Sequence, residues 1–140
     1  MKIVHINKTD AGGGAAVAAL RIHRALLRAG VDSHFVVQEQ KRNEINEHSL
    51  GQSFWKRTKN FIRFVYERLT ILPHEKEASL RYNFSLANSG QDISKNPVVQ
   101  EADVIHLHWI NQGFLSLDNL QELFALGKPV VWTLHDMWPF

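Results

Sequence analysis

The chain has 140 residues, 44% hydrophobic and 21% charged, which suits one globular domain with a real core and argues against disorder. A net charge of +2 is too small to point to nucleic acid, and the absence of cysteine excludes a disulfide framework, thiol catalysis and Cys-ligated zinc. No apolar run reaches the length of a membrane span, and the N-terminus enters a strand-like run directly, so a cytoplasmic protein is the expectation.

Ile3 to Ile6 reads as the first strand, followed by the polar loop Asn7 to Ala11 and then Gly12-Gly13-Gly14. Ala15 to Ala29 is helical, with Val17, Leu20, Arg24 and Leu27 on neighbouring turns and Gly30 as the stop. His34 to Val37 is a second strand, so strand, glycine loop, helix and strand form a βαβ unit. Gln38 to Leu50 is polar and reads as a loop. Ser53 to Leu72 is a second helix, apolar at Trp55, Ile62, Val65, Leu69 and Leu72, and basic at Lys56, Arg57, Lys59 and Arg63. Pro73 ends it. Glu75 to Val99 reads as an irregular excursion, with weak alternation at Arg81 to Leu86, and Val98 and Val99 lead into a short helical turn.

Ala102 to Trp109 is the third strand. Leu117 to Leu126 is the third helix, capped by Ser116 with Asn119 in its first turn and closed by Gly127. Val130 to Leu134 is the last strand, a short apolar run after Lys128-Pro129. These elements define an α/β fold, a Rossmann-like parallel sheet flanked by helices. A parallel strand at Val130 to Leu134 calls for a further crossover helix, and none is encoded. The chain is therefore expected to be the first part of a longer protein.

Three polar clusters follow apolar runs, and in open parallel sheets ligands bind beyond the carboxyl ends of the strands. Gly12, Gly13 and Gly14 let a backbone approach a ligand closely, and the following helix N-terminus suits a phosphate. The plain alternative is a tight turn; neither G-x-G-x-x-G nor a P-loop is present. His106 and His108 share one face of a strand, which suits a metal pair or one buried and one cleft histidine. Trp109 and Asn111 offer an aromatic face and an amide, suited to a sugar ring; Trp109 can equally pack under the next helix. His135 and Asp136 end the last strand, where a histidine can bond an alcohol and an aspartate can orient a hydroxyl or act as base; a structural N-cap is the alternative for Asp136. The basic helix Ser53 to Leu72 suits either a surface helix with its apolar face on the sheet, which we favour, or contact with an anionic membrane surface.

Lys2 to Ile6, Gly12 to Ala15, Ala102 to Trp109 and Pro129 to Trp138 together resemble the N-terminal domain of family-four retaining glycosyltransferases, which have the GT-B fold of two Rossmann-like domains facing a cleft. The resemblance leaves Gln38 to Gln100 poorly matched. It implies that this chain shapes the acceptor side, that its glycine loop approaches the donor diphosphate, and that His135 faces the transferred sugar with Asp136 beside it. It implies a C-terminal donor-binding domain, carrying most nucleotide-sugar contacts, that is absent from these residues. It also implies no metal and no cofactor beyond the nucleotide-sugar substrate. Relatives of this kind often build bacterial surface polysaccharides on glycan or lipid-linked acceptors, which gives the basic helix a purpose at the inner face of the plasma membrane.

The expected function is thus the acceptor-side half of a sugar-nucleotide-dependent glycosyltransferase, inactive without its other half. Backbone N–H groups at Gly13 and Gly14 would stabilise the departing diphosphate, together with cations from the other half. His106, His108, Trp109 and Asn111 would line the acceptor or sugar cleft. A non-catalytic binding module or split subunit is the first alternative. A metal-dependent hydrolase using His106, His108, His135 and Asp136 is the second, and a dinucleotide oxidoreductase is a distant third because the fingerprint fails.

Overall fold

The computed structural model describes residues 1–74 and 84–136, so Arg81 to Asn83 of the weakly alternating stretch and Met137 to Phe140 lie outside the described residues. The elements in order are β1 (Lys2–Thr9), α1 (Gly14–Arg28), β2 (Asp32–Glu39), β3 (Glu47–Ser49), α2 (Phe54–Ile71), α3 (Pro97–Gln100), β4 (Val104–Leu107), α4 (Leu117–Phe124) and β5 (Val130–Trp132). The five strands form one sheet in the order β3-β2-β1-β4-β5, and every pairing is parallel.

Alternation along β1 sends its side chains to two different layers. Val4 and Ile6 join Val36, Ile105 and Leu107 in the main core, which Leu120 and Leu123 of α4, Val99 of α3, and Ile110 and Phe114 complete. His5 and Asn7 face the other way, toward α1. That second layer is thin, with Ala19 and Leu20 of α1 against Phe35 and Val37 of β2. The helix buries Ala16, Ala19, Leu20 and His23, while Val17 is exposed. The alanines bring α1 close to the sheet, and the imidazole of His23 takes the space a Val or Leu would otherwise fill.

Where a polar loop was expected over Gln38 to Leu50, β2 runs on to Glu39 and β3 adds an edge strand. Phe35 N–H donates to Asn46 O at 3.0 Å and Leu50 N–H to Val37 O at 2.9 Å. Only main-chain pairing makes Glu47–Ser49 a strand, so hydrophobic periodicity carries no trace of it. The register Phe35↔Glu47 requires the chain to return about four residues, or ~13 Å, alongside β2, a distance that the intervening loop spans easily.

The first turn of α4 is a reciprocal cap, as the sequence suggests: Asn119 N–H donates to Ser116 Oγ at 3.2 Å and Ser116 N–H to Asn119 Oδ1 at 3.1 Å. The apolar face of α2, expected to pack on the sheet, points outward instead. Trp55 is 73% exposed, and Phe54, Phe61, Ile62, Tyr66 and Leu69 are also exposed. The residues α2 buries are Asn60 and Glu67. The reason is a polar anchor: Glu67 accepts from Gly113 N–H at 2.7 Å and from the Ser85 hydroxyl, so the helix is held by its acid.

Candidate functional site

Because β1, β4 and β5 are parallel neighbours, the loops that leave their carboxyl ends emerge along one edge of the sheet. The triple glycine, the segment His106 to Asn111, and His135-Asp136 are those loops. The convergence on which the sequence-based reading depends is therefore present.

At the β1 end, Asp10 is buried and its carboxylate accepts from the backbone N–H groups of Lys41 and Arg42. This clamps the loop after β2 against the glycine loop. Gly12 has φ +88°, a conformation that disfavours other residues, and a side chain there would come within 3.7 Å of Lys41 Nζ. Nothing lies within 4 Å of a side chain added at Gly13 or Gly14. Gly13 caps α1 without any side-chain bond, and no acid stands in the first turn. The positive end of α1 thus opens onto free space with an ammonium beside it, an arrangement suited to an anion.

The β4 end is built on histidines. His106 is the direct register partner of His5 on β1, so the two rings lie side by side at 4.9 Å. His108 follows on the same face, stacked on His106 at 4.2 Å. His5 Nδ1 meets His108 Nε2 at 3.1 Å, and His108 Nδ1 meets His135 Nε2 at 3.2 Å. His106 Nε2 is tied to Thr133 Oγ1 at 2.7 Å. Burial, reinforced by the neighbouring rings, pushes His5 down to about 3 and His108 to about 2 from an ordinary value near 6.5. Burial also lowers His106 and His135. All four rings are therefore neutral at pH 7.

Trp109 is half-buried and doubly held: its backbone N–H donates to Asn7 Oδ1 at 2.8 Å and its Nε1–H to Asp136 Oδ2 at 3.1 Å. Asp136 is exposed and links the β4 loop to the β5 loop through that bond. Asn111 is buried in the turn before α4 and offers little surface to a ligand. His108 is also buried, so His135, Asp136, Trp109 and the half-buried His106 are the groups of this rim with accessible surface.

Ring nitrogens of His5, His106 and His108 lie within 4.8 Å of one another. The rings of His106 and His108 are stacked, and the facing nitrogens of His5 and His108 are hydrogen-bonded to each other. The one carboxylate of the expected hydrolase set, Asp136, is bonded to Trp109. With His5 Nδ1 and His108 Nε2 joined to each other, His106 Nε2 tied to Thr133 and no carboxylate within the cluster, the arrangement does not favour the metal-hydrolase reading.

Residues outside the sequence-based list also reach the rim. Lys8 is 8% exposed; its Nζ donates to Gln112 O at 2.8 Å and lies 5.3 Å from the Phe64 ring and 5.7 Å from the Trp109 ring. Burial is the chief cause of its lowered pKa, with Glu39 and Glu67 acting the other way. Lys8, His5 and Thr133 lie on or beside strands already singled out, but it takes the register between β1 and β4 to set His5 beside His106. Lys41 carries no such signal because its place depends on Asp10.

The five-stranded parallel sheet and its flanking helices define a Rossmann-like α/β domain. The profile described as Glycosyltransferase Family 4 matches residues 12–140, and the chain belongs to that family, as its N-terminal domain. A curated relative, the putative colanic acid biosynthesis glycosyl transferase WcaC of Escherichia coli (strain K12), is 31% identical over 141 residues, covering 99% of this chain and 34% of the relative. The chain thus spans about a third of the length of that relative. No solved structure matches it.

Proposed function

We propose that the protein carrying this chain is a retaining glycosyltransferase that moves a sugar from a nucleotide-sugar donor to a glycan or lipid-linked acceptor in bacterial surface polysaccharide synthesis. Family membership supports the transferase class, and the name of the relative supports the polysaccharide. The observation that carries the reading is the meeting, on one rim, of an uncapped helix N-terminus with Lys41 beside it and a neutral His135 next to Asp136. The first group suits a departing diphosphate; the second suits the hydroxyls of the transferred sugar. Nucleotide contacts would come largely from a C-terminal domain, and no metal or further cofactor enters the scheme.

A Gly13→Ala variant tests the glycine loop. Gly13 has φ 163°, extended backbone open to any residue, and its added methyl meets nothing. Stability should change by less than about 0.5 kcal/mol. If a diphosphate must approach this backbone, turnover of the intact enzyme with its sugar-nucleotide should fall about tenfold or more, or ~1.4 kcal/mol in the barrier. Wild-type turnover would reduce the loop to a tight turn.

The outward face of α2 supports peripheral contact with an anionic membrane at the inner face of the plasma membrane. Among the described residues no helix is long and apolar enough to cross a bilayer. Exposed Phe54, Trp55, Phe61, Ile62 and Leu69 lie on the same helix as exposed Lys56, Arg57 and Lys59, and the acid of α2, Glu67, is buried. At about 1 kcal/mol for each cation, binding to phosphatidylglycerol vesicles should exceed binding to phosphatidylcholine vesicles by roughly a hundredfold. The Trp55→Ser, Phe61→Ser double variant should lose sedimentation with the anionic vesicles; unchanged sedimentation would exclude this face.

A further inference from the structure

His5, His108 and His135 form a line of rings from the layer beneath α1 to the rim of the sheet. Each link joins the Nδ1 of one ring to the Nε2 of the next, at 3.1 Å and 3.2 Å. The inner end is closed, because His5 Nε2 is buried with no hydrogen-bond partner among the described residues. The groups facing the line are the edge of His23 from α1, Phe35 from β2 and His106 from β4, with Asp136 next to its outer end. His23 is itself engaged, through Nδ1 with Ser33 Oγ at 2.7 Å and through Nε2 with Ile45 O at 2.9 Å.

A neutral imidazole has one N–H and one bare nitrogen, and each link needs one of each. If His5 carries its proton on Nδ1, His108 must accept at Nε2 and so carries its own proton on Nδ1. The same then holds for His135. If His5 is protonated on Nε2, all three rings are. The line therefore has a single binary choice shared by three residues.

We propose that His5 and His108 are positioning residues that fix the tautomer and orientation of His135, so that His135 meets its ligand through Nδ1 alone. The identity of that ligand as a sugar rests on the proposed function; the coupling of the rings does not. His135 Nδ1 has no protein partner among the described residues, while its Nε2 is held by His108. Such a ring offers one uncharged contact of fixed direction, which suits a single hydroxyl or ether oxygen of a neutral sugar rather than a phosphate. His106 stands beside the line, its Nε2 turned to Thr133.

The test is nitrogen NMR of the intact protein, 15N-labelled at histidine, at pH 7.5. The three rings should report one and the same tautomer, all Nδ1–H or all Nε2–H. His5→Phe should change the tautomer populations of His135 even though the two residues do not touch, and His108→Asn, which cuts both links, should do the same. In a transfer assay each change should lower kcat about tenfold, the lower end for loss of an orienting partner, with little effect on KM. Different tautomers within the wild-type line, or a His135 signal indifferent to both variants, would overturn the proposal. One shared tautomer in a protein that transfers no sugar would keep the coupling of the rings and remove only the ligand assignment.

Discussion

Replacing His135 by alanine is expected to lower turnover of the intact enzyme at least about a hundredfold while leaving the fold in place, the scale of a lost contact made in the transition state. His135 lies just beyond β5, half-buried, with its Nε2 on His108 and no role in either core cluster. Its removal leaves His108 Nδ1 facing a space that opens to solvent, so the stability cost should stay near 1 kcal/mol. The pH profile adds a second check. Burial lowers the pKa of His135 below its ordinary 6.5, against the smaller opposing pull of Asp136. The neutral ring therefore persists to pH values below 6.5, and the acidic limb of kcat should fall there rather than at 7. Near-normal turnover of the alanine variant would take His135 out of the mechanism, and with it the sugar-facing half of the proposed site.

The parts of this fold that were legible in the sequence share one property: their signal is local. Ile3 to Ile6, Val104 to Leu107 and Val130 to Trp132 are apolar runs ended by polar groups, and Ser116 with Asn119 is a cap written in four residues. Parallel order follows from the glycine loop and its helix, so the shared rim was within reach. β3 was not, because Glu47-His48-Ser49 gains strand geometry only from the free edge of β2. The orientation of α2 was not legible either. Periodicity finds an apolar stripe but does not say what lies opposite it. Nothing local marks Glu67 as buried, because its partners Ser85 and Gly113 both lie far along the chain. The histidine line falls between these cases. His106 and His108 were visible as a pair, but its inner end depends on the register His5↔His106, which only the assembled sheet supplies.

Glu67→Ala should destabilise the protein by about 3–5 kcal/mol, the range for removing one partner of a buried charged network. Glu67 is fully buried on α2. One oxygen accepts from Gly113 N–H at 2.7 Å, and the other accepts from the Ser85 hydroxyl and lies 3.4 Å from Arg68 Nη2. Ser85 Oγ in turn accepts from Gln112 N–H at 3.3 Å. A single side chain thus ties α2 to the segment around Ser85 and to the turn that follows Trp109. The approach is close: Gly113 has φ +76°, and a Cβ there would lie 2.7 Å from Phe64 N, so no larger residue can replace the contact by packing. Alanine strands the buried Gly113 N–H, whereas glutamine can still accept from it and donate to Ser85 Oγ once that hydroxyl turns. Glu67→Gln should therefore cost only about 1–2 kcal/mol. Urea unfolding ranks the two variants, and hydrogen exchange at Gly113 localises the loss. The effect should reach function as well, because Gln112 O also holds Lys8 Nζ, and Lys8 lies against the Trp109 ring. Equal stability of wild type and Glu67→Ala would mean that α2 is held by its few half-buried apolar residues, Phe64 and Val65 among them, and that the buried acid is incidental.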